Sequence, residues 1–421
     1  MLDDIKKRTP ERGSFFYAMN LTFYKVLAHM KNLNITKLAE KLKIPGTLEF
    51  NSRVQILKAT GVKVVNLTLG EPDFPTPKNI GEAAIGAIKN GYTHYPPVAG
   101  IFELREAIVK KLWKDNGINY LPSEVIVGVG TKQLLHAAFQ VLCQKGDEAL
   151  LFSPLWSTYA EQVKLASARP KIVALKPPFK LTAKEFERNI SARTKLAVLN
   201  SPANPTGATI ALEELKKIAD LAVKKKIWVI SDDIYEHIIY GGKHHSIASL
   251  SEKIRQQTIT INGFSKSYAM TGWRVGYAAG PRKVIDAMAA LSGQITSGTC
   301  SISQYAALEA VSGNQNSVAM MVREFRERRD YAYGELSTVK KISLLKPEGA
   351  FYLFLDIKCL LGEKFKTSAL WAQTLLETEK VAVIPGEVFM APGYVRLSFA
   401  VSMEELKKGI IGIKRFIGKH S

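Results

Sequence analysis

Cysteine is scarce in this chain. Three occur among 421 residues, Cys143, Cys300 and Cys359, odd in number and far apart. That excludes a disulfide framework and a cysteine-built zinc site, and it fits a reducing, cytoplasmic compartment. Long hydrophobic runs are missing too. The most apolar early stretch, FFYAMNLTFYKVLAHM over residues 15–30, contains Asn20, Lys25 and His29 and spans 16 residues, short of the roughly 20 that a membrane helix needs. Asp3 and Asp4, with no small-residue cleavage site after them, argue against a targeting peptide. Residues 1–33 therefore read as an N-terminal extension without chemistry, with Met19 and Met30 as alternative starts. No membrane association is expected.

Acidic residues are in deficit, 38 against 58 basic ones, for a net charge of +20. A nucleic-acid partner is the first thought. The lysines, however, are scattered through segments such as VKKKIW and EELKKIAD, where they read as solvated helix faces. There is no basic stripe interleaved with aromatics and no zinc-finger or RNA-binding motif, so no nucleic-acid partner is expected. Diffuse positive charge suits solubility and anionic small molecules.

What is present is a grammar of strand and helix. SEVIVGVG, DEALLFSP, TKLAVLNSP, IWVISDD and TITINGFSK are short, nearly continuous Val, Ile and Leu runs, and helical spacing lies between them, as in TKQLLHAAFQVL and ALEELKKIADLAVKKK. Alternation of this kind predicts an α/β fold with a mostly parallel, doubly wound sheet. Ligands of such sheets bind beyond the carboxyl ends of the strands. The five strand ends here carry Gly130-Thr131-Lys132, Trp156, Asn204-Pro205-Thr206-Gly207, Asp232 with Tyr235, and Lys266 with Arg274. Each residue alone has a bland alternative, whether a core tryptophan or a surface lysine. Five such ends on one sheet edge make a site.

After Gly313 the pattern turns helical and then becomes a smaller α+β segment with EGAFYLFLD, VAVIPG and YVRLSFA. The expected organisation is a large domain over residues 81–313 and a small domain made of residues 34–80 and 314–421, since neither end is long enough to bury a core alone.

From about Asn34 onward the chain resembles class I aminotransferases, fold-type-I pyridoxal-phosphate enzymes, and above all the bacterial aspartate aminotransferase branch that includes prephenate aminotransferases. The motifs LTLGEPDFPTP, THYPPVAGIFELREAI, SPLWSTY, NSPANPTGA, SDDIYEH, SKSYAMTGWRVGYAAGP, EGAFY and VRLSFA come in the family's order. One NPTG would be weak evidence; eight motifs in register are strong.

The resemblance implies a role for each matching residue. Lys266 is the Schiff-base lysine and then the proton carrier, for which its amine pKa must fall below the usual ~10.4. Asp232 pairs with the pyridine nitrogen, while Asp233 points to the other face of the strand. Tyr235 and Asn204 hold the ring oxygen O3′, and Trp156 lies against the ring. Gly130, Thr131 and Lys132 open a helix whose free N–H groups suit the phosphate, and Arg274 adds a charged contact to it. Tyr95 reaches the phosphate of a neighbouring subunit, so a homodimer with shared active sites is implied. For the substrate, Arg396 and Gly70 grip the α-carboxylate, Asn204 and Trp156 border it, and Lys132 serves a distal carboxylate.

Two positions depart from the family pattern. Gly263 stands where some members place a phosphate-binding serine, and Phe102 replaces the proline of the usual GIPELREA. The reading is amino transfer between L-aspartate and 2-oxoglutarate, small-molecule amino and 2-oxo acids being the partners. Prephenate, another dicarboxylate, is the alternative substrate. A lyase of the same family would use the same lysine. A cofactor-binding regulator would need a winged helix ahead of the aminotransferase part, for which 33 residues are too few.

Overall fold

The apolar runs become buried strands, and their register explains where the unusual residues end up. The computed structural model describes Thr36, Glu40 and residues 46–420; the extension 1–33 lies outside the described residues. Within the unit Thr47–Ser421, β1 (Val65–Asn66) precedes a seven-stranded sheet. That sheet contains β2 (Val125–Gly128), β3 (Glu148–Ser153), β4 (Arg169–Ala174), β5 (Thr194–Asn200), β6 (Trp228–Asp232), β7 (Thr258–Gly263) and β8 (Gly276–Ala279). Its order is β2-β8-β7-β6-β5-β3-β4. Only β8 runs antiparallel to its neighbours; the other pairings are parallel.

All five strands expected from the sequence form, and two more were not foreseen. β4 is a half-exposed edge strand, RPKIVA, with no continuous apolar run. β8, GYAA, is short and, apart from Tyr277, made of small residues. Both lack the hydrophobic signal on which a strand is recognised. The helices are amphipathic where they cover the sheet. Leu212–Lys225 buries Leu215, Ile218, Ala219 and Ala222 at helical spacing, opens on Glu213 and Glu214, and closes on Lys224 and Lys225, as its dipole favours.

A second, four-stranded sheet in the order β12-β13-β10-β9 is built from β9 (Ser343–Leu344), β10 (Tyr352–Asp356), β12 (Ile384–Pro385) and β13 (Tyr394–Ser398). β11 (Val381–Ala382) pairs in parallel with β1, so Val65 lies beside Val381 although the two are far apart in sequence. Among the described residues, no helix is long and apolar enough to cross a membrane.

Candidate active site

Register brings the chemistry to one edge. Asn200 at the end of β5 pairs with Asp232 at the end of β6, which pairs with Ile261 in β7. Lys266 follows in the loop after β7. A cavity of about 360 Å³ opens there, lined by Thr131, Lys132, Trp156, Asn204, Asp232, Tyr235, Lys266 and Arg274 from the large sheet's loops. Gly70 and Arg396 line it from the two ends of the chain. Gly130 stands next to it, and Tyr95 is not part of it: its side chain is 91% exposed.

Lys266 is half-buried, and its Nζ donates to the carbonyl oxygen of Gly70. Burial is the main reason its pKa falls to about 8; Arg396 and Arg274 push the same way, against Glu71 and Asp232. Asp232 is 2% exposed. Its carboxylate accepts from the Tyr159 hydroxyl at 2.6 Å and from the Ile234 N–H at 3.3 Å. Burial nevertheless outweighs those bonds and raises its pKa to about 6. The backbone is held as well, because Asn200 Nδ2 donates to the Asp232 carbonyl at 2.9 Å. Asp233 does not line the cavity; its Oδ1 accepts from Ser231 at 2.7 Å.

Arg396 projects from the middle of the smaller sheet, where β13 lies between β12 and β10. It is 2% exposed. Nη1 donates to Asn204 Oδ1 at 3.0 Å and Nη2 to the Thr68 carbonyl at 2.7 Å, while the guanidinium lies 4.3 Å from the Tyr352 ring centre. Its Nε is buried without a partner. Tyr235 and Tyr352 share a hydroxyl–hydroxyl bond of 2.8 Å. Lys132 Nζ sits 5.0 Å from the Trp156 ring centre, and burial followed by Arg274 lowers its pKa.

Opposite them, the helix Gly130–Leu142 points its start at Arg274. Gly130 has φ +71°, and a Cβ there would come within 2.7 Å of Arg274 Nη2. The missing side chain thus leaves a cradle of free N–H groups with a guanidinium over it, which suits a phosphate. The buried carboxylate of Asp232, the depressed amine of Lys266 and the orphaned Nε of Arg396 complete a donor and acceptor set that fits pyridoxal phosphate and a carboxylate substrate.

Sequence reading missed several of these neighbours. Tyr159 and Tyr352 close the motifs SPLWSTY and EGAFY, so a signal was present. Asn51 lines the cavity and its Oδ1 accepts from Asn66 Nδ2 at 3.3 Å, but nothing local in the sequence marks it. Phe102 finds a simple reason: it is the first residue of the helix Phe102–Lys111, where proline is favoured but not required, and its ring is exposed.

Comparison with known proteins agrees with the geometry. The family model described as aminotransferase class I and II matches residues 62–413. A probable aspartate/prephenate aminotransferase of Aquifex aeolicus is 45% identical over 379 residues, covering 89% of this chain and 96% of the relative. The aspartate aminotransferase of Bacillus sp. strain YM-2 is 43% identical over 375 residues, covering 88% and 96%. The solved structure of Thermus thermophilus aspartate aminotransferase with maleate superposes with a TM-score of 0.87 at 40% identity, covering 91% of this chain and all of that one. With a fold, a cleft and a sequence that agree over nearly its whole length, the chain belongs to the class I and II aminotransferases, enzymes of fold type I that work with pyridoxal phosphate.

Proposed function

We propose that this enzyme transfers the amino group of L-aspartate to 2-oxoglutarate in a ping-pong reaction, with Lys266 as the cofactor's covalent tether and the proton carrier. The observation that carries the reading is the inventory of charge in the cavity. Among the described residues, four cations line it, Lys132, Lys266, Arg274 and Arg396, against two carboxylates, Glu71 and Asp232. Arg274, over the start of the helix, suits the phosphate, and Lys266 is the tether. Arg396 and Lys132 remain, one for each carboxylate of a dicarboxylic substrate.

Bound pyridoxal phosphate supplies an electron sink for the bond broken at the substrate Cα. The chain does the rest. Ionised Asp232 would keep the ring nitrogen protonated, Tyr235 and Asn204 would hold O3′, and Trp156 would cover the ring face. The N–H groups of Gly130 and Thr131 hold the phosphate with Arg274. Arg396 and the Gly70 backbone orient the α-carboxylate, so that the Cα–H faces the Lys266 amine. That amine, its pKa lowered to about 8, would be free to take the proton from Cα and carry it to the cofactor side. Tyr95, exposed on one chain, reaches a phosphate only across an interface, so a homodimer with shared sites is part of the proposal. So are a cytoplasmic location and the division into a large domain of residues 81–313 and a small one of 34–80 with 314–421. The β1–β11 pairing supports that division.

Names of relatives favour a second substrate. Proteins at 45% and 42% identity carry the name probable aspartate/prephenate aminotransferase, and prephenate also has two carboxylates. A panel of amino acids and 2-oxo acids, followed by the change in cofactor absorbance, tests both. Lys132→Ala is expected to raise the KM for aspartate at least about tenfold, the size of one lost charged contact. An unchanged KM removes Lys132 from the distal site. Turnover of prephenate with aspartate inactive overturns the aspartate assignment.

A further inference from the structure

The turn that follows Asp232 and presents Tyr235 to the cavity also carries Glu236, which lines no part of it and is 8% exposed. Its carboxylate collects three donors from two separate segments, the helix ending at Asn116 and strand β7. Lys111 Nζ and Asn262 Nδ2 both bind Oε1, the latter at 2.6 Å, and Asn116 Nδ2 binds Oε2 at 2.6 Å. His237 Nε2 lies 3.4 Å away.

Two features set this cluster apart from ordinary charge compensation. First, the helix Phe102–Lys111 runs on into a π-helical turn, Leu112–Asn116. An i to i+5 turn brings residues five apart together, and Lys111 Nζ does donate to Asn116 Oδ1 at 2.8 Å. The rare turn thereby aims two polar side chains at one carboxylate. Second, Asn262 lies in β7, four residues before Lys266, and its own Oδ1 accepts the Gly263 N–H at 2.7 Å. If folding stability were the sole gain, an apolar trio of equal volume would serve at no loss, because a buried ion pair rarely exceeds it.

We infer that Glu236 is a positioning residue: its carboxylate fastens the turn that follows Asp232 and carries Tyr235 to the strand that leads into Lys266 and to the π turn. Acid, phenol and amine are thus held in one register. The inference rests on the roles proposed above for those three. An ionised carboxylate is required, since it accepts from every donor around it. In Glu236→Gln, one acceptor becomes an NH₂ that faces the NH₂ of Asn116 or of Asn262, or the Lys111 ammonium.

The test compares the unsubstituted protein, Glu236→Gln, and a double variant with Lys111→Met and Glu236→Met, which removes both buried charges and so guards against simple misfolding. Each is melted without cofactor, titrated with pyridoxal phosphate, reduced with borohydride to count the adduct on Lys266, and assayed per adduct. The expectation is that the double variant still melts in one cooperative step, somewhat below the unsubstituted protein because the amides of Asn116 and Asn262 lose their acceptor. In both variants the cofactor dissociation constant should rise about tenfold and kcat per adduct fall about a hundredfold, as for a misplacement near 1 Å. The KM for the amino acid should stay within about twofold, because Arg396 and Lys132 are outside the cluster. A kcat per adduct within about twofold of the unsubstituted protein in either folded variant overturns the inference. If the unsubstituted protein itself yields no adduct on Lys266, the functional reading falls first, and this inference with it.

Discussion

Asp232 shows how a single side chain is prepared for a ligand. Its pKa of about 6 lies above the ~3.9 of an unfolded aspartate. A carboxyl raised in this way favours the folded state only at low pH; the advantage disappears as pH climbs from about 4 through 6. At pH 7 the buried charge costs the cofactor-free protein up to about 3 kcal/mol, a cost that a protonated ring nitrogen in reach would relieve. Asp232→Asn keeps an acceptor for the Ile234 N–H, turns an NH₂ towards the Tyr159 hydroxyl, which can accept from it, and removes the charge. Cofactor-free Asp232→Asn should therefore resist urea better than the unsubstituted protein at pH 7–8. The difference should shrink to nothing near pH 4, while transamination falls by more than about a hundredfold. Equal midpoints at both pH values would show that the carboxylate is not desolvated. The acid itself was readable in SDDIYEH because it ends an apolar run. Its partner Tyr159 was harder to see, since a tyrosine one helical turn after a tryptophan looks like core.

At the scale of elements, a row of glycines lets a helix start rest on the sheet. Gly128, Gly276 and Gly263 lie side by side across β2, β8 and β7. A Cβ on Gly276 would stand 3.0 Å from the Thr131 nitrogen, and one on Gly263 would stand 3.1 Å from Thr131 Cγ2. That crowding gives a steric reason for glycine at both positions. It also bears on Gly130, whose φ of +71° is left-handed. Gly130→Ala should fold with a loss of about 1–2 kcal/mol, yet push the Arg274 guanidinium off the helix start. Its pyridoxal phosphate dissociation constant should rise at least about tenfold, and competition by inorganic phosphate should weaken in parallel. Unaltered phosphate competition would place the anion elsewhere. Strand existence was legible here for the five apolar runs. β4 and β8 were not, because one is a half-exposed edge and the other is too small and short to carry a hydrophobic pattern.

For the whole molecule, the central prediction concerns assembly. If Tyr95 completes a partner's site, then Lys266→Ala and Tyr95→Ala chains, each impaired alone, should regain activity when unfolded and refolded together, because a mixed dimer contains one intact site. A mixture no more active than the sum of its parts would mean that each chain builds its site alone. The net charge of +20 acts at the same scale: added salt should slow the capture of dicarboxylates by screening the field around the cleft. What the order of residues determined by itself is the type and ends of the buried strands, and with them Lys266, Asp232, Asn204 and Trp156. Strand burial and turn chemistry are local, and so are the motifs that follow each run. What only the tertiary structure decided is how partners distant along the chain meet: Thr68 with Arg396, Gly70 with Lys266, Asn51 with the cavity, and Glu236 with Lys111 and Asn262. Those contacts depend on sheet register and on the packing of two chain ends against the strand edge, and no periodicity in the sequence encodes either.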